Sequence, residues 1–293
     1  MSGPETPIQY NFPSNTLAGK AVLLAGGSGG LGAATAFLLA REGASLILGF
    51  RSNRQRAESL RNALAPFGAQ VGAQVGAQVG ARIELVEGDL THPGVPEQYI
   101  RQATALGPLA AVAIFTGDPV RAAPGVAESV TREMEREMER EMEREMERME
   151  LSWQVNFQGP YHLARLAARR MAEQGTPGSI VLVSTMQAVV PFAQSAVYSA
   201  PKAALAHAAR VLAHEFGGKA NISVNVVAPG VTDAGMAAAS VSSGKYERFL
   251  RDGVIPRYGR AEDVARVVRL LLEPDNYITG QVITVDGGLT LRR

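Results

Sequence analysis

Ala25-Gly26-Gly27-Ser28-Gly29-Gly30-Leu31-Gly32 follows the apolar run Ala21–Ala25 and opens into the apolar stretch Ala33–Ala40. The run before it reads as a buried β-strand, and Leu31–Glu42 after it as a helix. A glycine-rich joint between strand and helix lets the backbone turn sharply and come close to a ligand. The helix start presents N–H groups with no carbonyl partner and a partial positive charge. Together these features make a seat for phosphate, formed by Gly26, Ser28, Gly29, Gly30, Leu31 and Gly32. Glycine-rich loops often merely turn; the position between strand and helix is what points to a nucleotide.

Outward from this unit the same alternation recurs. Ser45–Phe50, Ile83–Glu87, Ala111–Phe115, Ser179–Ser184, Ser223–Val227 and Val282–Val285 read as further strands, and Arg54–Phe67, Tyr198–Phe216 and Ala261–Leu272 as helices. Near-continuous hydrophobicity in the strands suits a sheet covered on both faces. The pattern predicts an α/β fold, a doubly wound parallel sheet (Rossmann fold) forming a single domain of seven strands with helices on both faces. Right-handed crossovers then place the strand C-termini along one edge, where ligands bind. The domain is expected over 17–293, after an N-terminal extension over 1–16.

Bulk properties narrow the function. A formal charge of +1 in 293 residues gives no global attraction to nucleic acid or anionic membrane. The absence of cysteine excludes disulfides, thiolate catalysis and cysteine zinc sites. His92, His162, His207 and His214 lack metal-ligand spacing, so no metal is expected. Met1–Asn15 is polar and carries no apolar signal run, and no stretch approaches the roughly 20 apolar residues that span a bilayer. A cytoplasmic protein without membrane or nucleic-acid partners is the expectation.

Two segments are repetitive. Gly68–Gly80 holds GAQV three times and reads as an expanded surface loop. Arg132–Arg148 holds EMER four times and reads as a long exposed helix. Opposite charges pair there at i,i+3, but each i,i+4 pair sets like against like. Its methionines recur every four residues and drift about 40° per repeat around a helix, so they form no straight seam. A tandem extension of an existing helix is favoured over a partner-binding device.

The end of the second strand bears on cofactor choice. An acidic residue there suits the ribose 2′-hydroxyl of NAD. Here the chain reads Gly49-Phe50-Arg51-Ser52-Asn53-Arg54, with no carboxylate before Glu58. Arg51, with Ser52 and Asn53 beside it, is suited to a 2′-phosphate, which favours NADP(H) over NAD. Further along, Tyr198-Ser199-Ala200-Pro201-Lys202 sets a tyrosine and a lysine on one helix face, with Pro201 expected in the first turn. A phenol of ordinary pKa is a weak base at neutral pH; a neighbouring ammonium and a positive nicotinamide favour its phenolate.

In this setting the chain resembles the short-chain dehydrogenase/reductase family, including its 3-oxoacyl-acyl-carrier-protein reductases. Gly26, Gly30 and Gly32 match the family's Gly-xxx-Gly-x-Gly, and Tyr198 with Lys202 matches its Tyr-xxx-Lys. Asn156, in Val155-Asn156-Phe157-Gln158-Gly159, matches the catalytic asparagine. Asp89, in Gly88-Asp89-Leu90, falls where the family holds adenine. Pro229-Gly230, with Val231 and Thr232 following, falls beside the nicotinamide amide, and Val285-Asp286-Gly287-Gly288 matches the C-terminal signature. The resemblance spans about Leu17 to Leu289 outside the repeats. It implies NADP(H)-dependent reduction of a ketone or aldehyde, with a 3-oxoacyl thioester as one candidate. Tyr198 would donate the proton, Lys202 would hold the nicotinamide ribose and lower the Tyr198 pKa, and Asn156 would position a relay water. It also implies a homo-oligomer, dimer or homotetramer, paired through Leu151–Glu173 and Ala200–Phe216, with Leu163, Leu166, Leu205 and Val211 on their apolar faces.

The chain departs from the family's pattern in three places. Thr185 stands where the catalytic serine is usual, with Ser184 immediately before it; alternation along a strand favours Thr185. Phe115-Thr116-Gly117 replaces Asn-Ala-Gly, and Ala234 replaces a threonine that contacts the cofactor. Substrate contacts are expected from Met186–Val197 and Val231–Asp252, where Met186, Val189, Phe192, Met236 and Phe249 suggest an apolar pocket or simple packing. The alternatives are an NAD-dependent polyol or sugar dehydrogenase and a catalytically degenerate cofactor-binding protein that acts through partners.

Overall fold

The computed structural model describes residues 15–74, 81–118 and 132–292. In chain order the elements are β1 (Ala21–Ala25), α1 (Gly30–Arg41), β2 (Ser45–Phe50), α2 (Arg54–Gln74), β3 (Ile83–Glu87), α3 (Val95–Ala105) and β4 (Leu109–Ile114). They continue with α4 (Arg132–Trp153), α5 (Gly159–Gln174), β5 (Gly178–Val183), α6 (Ala196–Gly217) and β6 (Ile222–Pro229). Two short helices, α7 (Ala238–Ser242) and α8 (Glu247–Arg251), lead to α9 (Ala261–Leu271), β7 (Val282–Val285) and a closing turn, α10 (Leu289–Arg292).

All seven strands pair in parallel, in the order β3-β2-β1-β4-β5-β6-β7. The direction of winding reverses between β1 and β4, which opens a crevice at their C-terminal ends. Successive strand residues face opposite layers. Leu23, Val112, Ile180, Leu182 and Val224 join Tyr99, Leu163, Ala167, Leu205 and Leu212 from α3, α5 and α6 in one core. Val22, Leu24, Leu46, Ala113 and Val181 join Ala36, Leu39, Leu64, Val264 and Val268 from α1, α2 and α9 in the other. Each fully buried aliphatic side chain contributes about 1.5–3 kcal/mol, so the doubly covered central strands anchor the molecule. The edge strand β3 is only partly buried, as expected for a strand with a neighbour on one side.

A smaller third core, Met186, Val231, Phe249, Ile255 and Leu289, lies in the segment joining β6 to α9 and its neighbours. It is tied down from below. The Asp286 carboxylate accepts hydrogen bonds from Gly288 N (2.9 Å) and Thr290 N (2.8 Å), which fixes α10. A side chain at Gly230 would meet Asp286 Cβ at 2.6 Å. The Val285-Asp286-Gly287-Gly288 motif thus props the loop that follows β6.

Tyr99 braces the other half of the sheet edge. Its hydroxyl donates to Gly88 O at 3.0 Å, just beyond β3, and its ring fills the space that a side chain at Gly49 on β2 would need. A Cβ at Gly49 would lie 2.4 Å from Tyr99 Cε2. Burial raises the Tyr99 pKa, aided by the charges of Asp89 and Glu87, so the hydroxyl stays a donor.

The two repeats behave differently from one another. The GAQV segment was expected to be a loop, yet Gly68–Gln74 continues α2 past Pro66; residues 75–80 lie outside the described residues. Alanine and glutamine are good helix formers, and Phe67 locks the preceding turn edge-to-face against Phe37, ring centroids 6.0 Å apart. The EMER segment is helical as expected, forming the bulk of α4. Met142 and Met146 are 62% and 64% exposed, so this part of the methionine stripe faces solvent. Of the residues expected on the pairing faces, Leu163 and Leu205 are fully buried in the chain's own core, whereas Val211 is exposed. No described helix is long and apolar enough to cross a membrane.

Candidate active site

The crevice between β1 and β4 opens into a cavity of about 1300 Å³ along the C-terminal edge of the sheet. Its floor begins with the glycine turn. Gly26 takes φ +77°, a left-handed conformation that side chains rarely adopt, and a Cβ on Gly32 would lie 2.5 Å from Gly26 O. The turn therefore closes only with hydrogen in place of a side chain at both positions. No side chain caps the start of α1, and no acidic residue sits in its first turn. Its partial positive charge faces the cavity uncompensated.

Nearly every residue expected to hold a cofactor is found on this wall: Gly26, Ser28, Gly29, Gly30, Leu31, Gly32, Arg51, Asp89, Leu90, Thr116, Gly117, Pro229, Gly230, Val231 and Thr232. Ser52 and Asn53 are not among the lining residues. Asn53 instead accepts a hydrogen bond from Arg56 N (2.9 Å), capping the start of α2. Arg54 is paired with Glu87. Arg51 lies 3.9 Å from Asp118 across the cleft, a loose pair between two half-exposed groups that is weak in water. At Asp89, burial pushes the pKa up, but hydrogen bonds from Thr91 N and Oγ1 and the Arg51 charge outweigh it, so the carboxylate stays below its ordinary value.

Tyr198, Lys202 and Thr185 meet deeper in the cavity. Thr185 leaves β5 with its hydroxyl bonded to the Tyr198 side chain, while Ser184 donates to Lys202 O on α6 at 3.1 Å. Both residues lie just past β5 and line the cavity, and it is the Thr185 hydroxyl that meets the Tyr198 side chain. Thr185→Ala is therefore expected to cost at least tenfold more kcat/KM than Ser184→Ala with any carbonyl substrate the chain reduces; the reverse ranking would transfer the role to Ser184.

Lys202 is almost fully buried, and its Nζ donates to Thr116 O (3.0 Å) and Val183 O (2.9 Å). Burial pulls its pKa down to about 7. The Tyr198 pKa is pushed up to about 12, by burial first and the Asp118 charge next, with the Thr185 hydrogen bond opposing. In the chain alone, burial and the Asp118 charge thus set the Tyr198 hydroxyl above its ordinary value. This has a consequence for stability. Between pH 7 and 10 the unfolded chain holds the Lys202 proton that the folded chain has released, so raising the pH favours folding. Above pH 10 the folded chain keeps the Tyr198 proton that the unfolded chain loses, and the trend reverses. Denaturant midpoints at pH 7 and 9.5 should rise more for this chain than for Lys202→Met, by up to about 1.4 kcal/mol per pH unit; parallel profiles would remove Lys202 as the cause.

Asn156 stands at the junction of α4 and α5. It sits fully buried in a π-helical turn, Gln154–Gln158, between α4 and α5. Its Nδ2 donates to Asp118 O (2.8 Å) and Ser152 Oγ (3.0 Å), and its Oδ1 accepts from Asp118 N (3.1 Å). The side chain clamps the strand end after β4 through these bonds. Ser152 in turn donates to Val197 O at 2.6 Å. That carbonyl is free to accept because its helical partner one turn on is Pro201, which has no N–H. Pro201 is the sixth residue of α6 rather than part of its first turn. It thereby provides the acceptor that ties α4 to the start of the Tyr198 helix.

Sequence reasoning passed over several wall residues. Asp118, just behind the lining Thr116-Gly117, pairs with Arg51, is bonded to Asn156 and acts on Tyr198 through its charge; its signal was a carboxylate directly after that strand end. Lys245 and Tyr246 join the wall from the loop before α8, and Glu141, Glu145 and Arg148 join it from the EMER helix. Among the residues named for substrate contact, Met186 and Met236 line the cavity, but Phe192 and Phe249 serve the third core, and Val189 is exposed and off the wall. Beyond Tyr198 the wall carries Gln187, Gln194, Ser195, Ser240 and Ser243 among apolar neighbours such as Met186, Val197, Met236 and Ala237.

A glycine turn, a buried lysine and a tyrosine four residues before it, all on one wall, set the terms for comparison with known proteins. The family described as enoyl-(acyl carrier protein) reductase matches residues 126–290. The chain belongs to the short-chain dehydrogenase/reductase family. It is 28% identical over 277 residues to a short-chain type dehydrogenase/reductase of Picea abies, covering 93% of each chain. A short-chain type dehydrogenase/reductase from Mycobacterium ulcerans superposes with a TM-score of 0.77 at 27% identity, over 94% of this chain and 92% of that one. A short chain dehydrogenase from Burkholderia cenocepacia J2315, solved in complex with NADP, gives a TM-score of 0.73 at 28% identity, over 94% of this chain and 99% of that one. This short-chain dehydrogenase/reductase is thus an oxidoreductase of the nicotinamide-dependent kind, acting on a small molecule.

Proposed function

We propose that this chain is an NADP(H)-dependent carbonyl reductase that converts a polar ketone or aldehyde to the alcohol. The observation that carries this reading is the Tyr198–Thr185 hydrogen bond, one helical turn from Lys202, in the same cavity as the glycine turn and Arg51. The wall also fits a dinucleotide. The uncapped α1 terminus suits a pyrophosphate, and the buried Thr116 Oγ1 has no partner among the described residues, which suits an acceptor or donor from a ligand. Arg51 would hold the 2′-phosphate, Asp89 the adenine, and Lys202 the nicotinamide ribose with the donor its two carbonyl bonds leave over.

When bound, the nicotinamide supplies the hydride chemistry. The protein supplies alignment and the proton. Thr185 fixes the carbonyl oxygen against the Tyr198 hydroxyl, whose high pKa keeps it protonated and ready to donate as negative charge builds on that oxygen. Lys202 and Asn156 hold the strand ends after β5 and β4 that shape the pocket.

The reading is tested by titrating the purified chain with NADPH and NADH, followed by nicotinamide fluorescence. Tighter binding of NADPH by at least tenfold is expected, together with turnover of some polar carbonyl in a substrate panel. Equal affinities would return the cofactor to NAD, and binding of neither would overturn the reading.

A further inference from the structure

The active-site cavity is bounded on one side by the tandem repeat itself. Glu141, Glu145 and Arg148, from the third and fourth EMER units, line it. On a helix these positions and Ser152 fall within about 60° of one another. The face that carries Ser152 and runs toward Asn156 therefore continues outward through the repeat. Arg148 stands one turn before Ser152, about 6 Å along the axis, and Ser152 is bonded to the carbonyl just before Tyr198. The guanidinium is thus near enough for a substrate held at Tyr198 to reach. Its Nε is buried and has no hydrogen-bond partner among the described residues. A sealed guanidinium donor is costly to leave unmade and matches planar or tetrahedral oxyanions. Lys245, exposed and with its Nζ 5.6 Å from the Tyr246 ring centroid, adds a weaker, solvent-screened second cation from a separate element of the same wall. Glu141 and Glu145 lie on outer, exposed turns, where solvent and salt screen them, whereas Arg148 acts from a partly buried position.

We propose that Arg148, the last residue of the EMER repeat, grips an anionic group, a carboxylate or a phosphate, on the carbonyl substrate, with Lys245 as the second cation of that subsite. The inference rests on the carbonyl-reductase reading and names the substrate class it serves. The repeat is then part of the specificity wall, and its four-residue identity matters. Removal of the outermost unit, Glu133–Arg136, keeps Glu141, Glu145 and Arg148 at their spacing from Ser152 and leaves the cavity face unchanged.

The test is steady-state reduction by the full chain with NADPH of two matched pairs, acetoacetate against its methyl ester and dihydroxyacetone phosphate against dihydroxyacetone. The charged member of one pair should be favoured at least tenfold in kcat/KM, and the pair concerned says whether the group is carboxylate or phosphate. Arg148→Met should collapse that preference at least tenfold, mainly through KM. Arg148→Lys should restore part of it, and deletion of Glu133–Arg136 should leave it standing. A preference for the neutral members, or one unchanged in Arg148→Met, overturns the proposal. Should the chain bind NADPH but reduce none of the four, the two anions are titrated against the fluorescence of Trp153, the single tryptophan. Saturable binding lost in Arg148→Met supports the subsite; no binding, or binding indifferent to the substitution, overturns it. Failure to bind NADPH at all strikes the carbonyl-reductase reading instead, and the same anion titration still decides on Arg148.

Discussion

Tyr198→Phe is expected to lower kcat by about a thousandfold or more, with NADPH affinity changed by no more than about threefold. The substitution removes one hydroxyl and keeps the ring that fills the pocket. The loss therefore falls on the proton delivered to the carbonyl oxygen and on the Thr185 hydrogen bond, not on the cofactor wall. Single-turnover measurements with saturating NADPH separate the two. A variant that retains more than a tenth of the parent rate would place the proton donor elsewhere and demote Tyr198 to packing.

Arg51→Asp should invert the cofactor preference, with the NADPH-to-NADH ratio of kcat/KM falling by about a hundredfold or more. A charge-assisted hydrogen bond contributes about 1.5–3 kcal/mol, and the new carboxylate adds repulsion toward a 2′-phosphate. The cost to the fold is small, because the Arg51–Asp118 pair that is lost joins two half-exposed side chains. NADH turnover should hold or improve, since an acid at this point suits a free ribose hydroxyl. An unchanged ratio would remove Arg51 from the cofactor site.

Most of the fold could be read from the chain because its signals are local. Each central strand is an unbroken apolar run, and the glycine turn records a joint that no other residue permits at Gly26 and Gly32. The choice between Thr185 and Ser184 rested on strand alternation, yet both residues fall past the end of β5 and face α6, so their partners there, Tyr198 and Lys202 O, are what tell them apart. What escaped the sequence depended on tertiary contacts. Nothing local tells that Asn53 caps a helix while Arg51 two residues earlier faces the cleft. The buried state of Lys202, which draws its pKa down and turns its donors onto Thr116 and Val183, follows from β4 and β5 meeting α6. The polar residues beyond Tyr198 were hidden for a similar reason. The apolar residues of the right segments, Phe192 and Phe249, went to a small core behind it. The EMER units looked like surplus helix because a four-residue period matches no straight seam. The inward face emerged only once Ser152 and Asn156 fixed the rotation of α4.

The ring of Tyr99 occupying the void above Gly49 ties these two positions to each other's history. A lineage that enlarges residue 49 first meets a ring 2.4 Å from the new carbon, and one that shrinks residue 99 first opens a hole and releases the loop at Gly88. Neither order of single changes is neutral, so the pair should be inherited together or exchanged together. Among relatives, a side chain at the first position should be found only where a smaller residue has replaced the tyrosine. Such coupled drift would reshape the end of the cleft beside Gly88 and Asp89 while leaving the glycine turn and Tyr198 as they are.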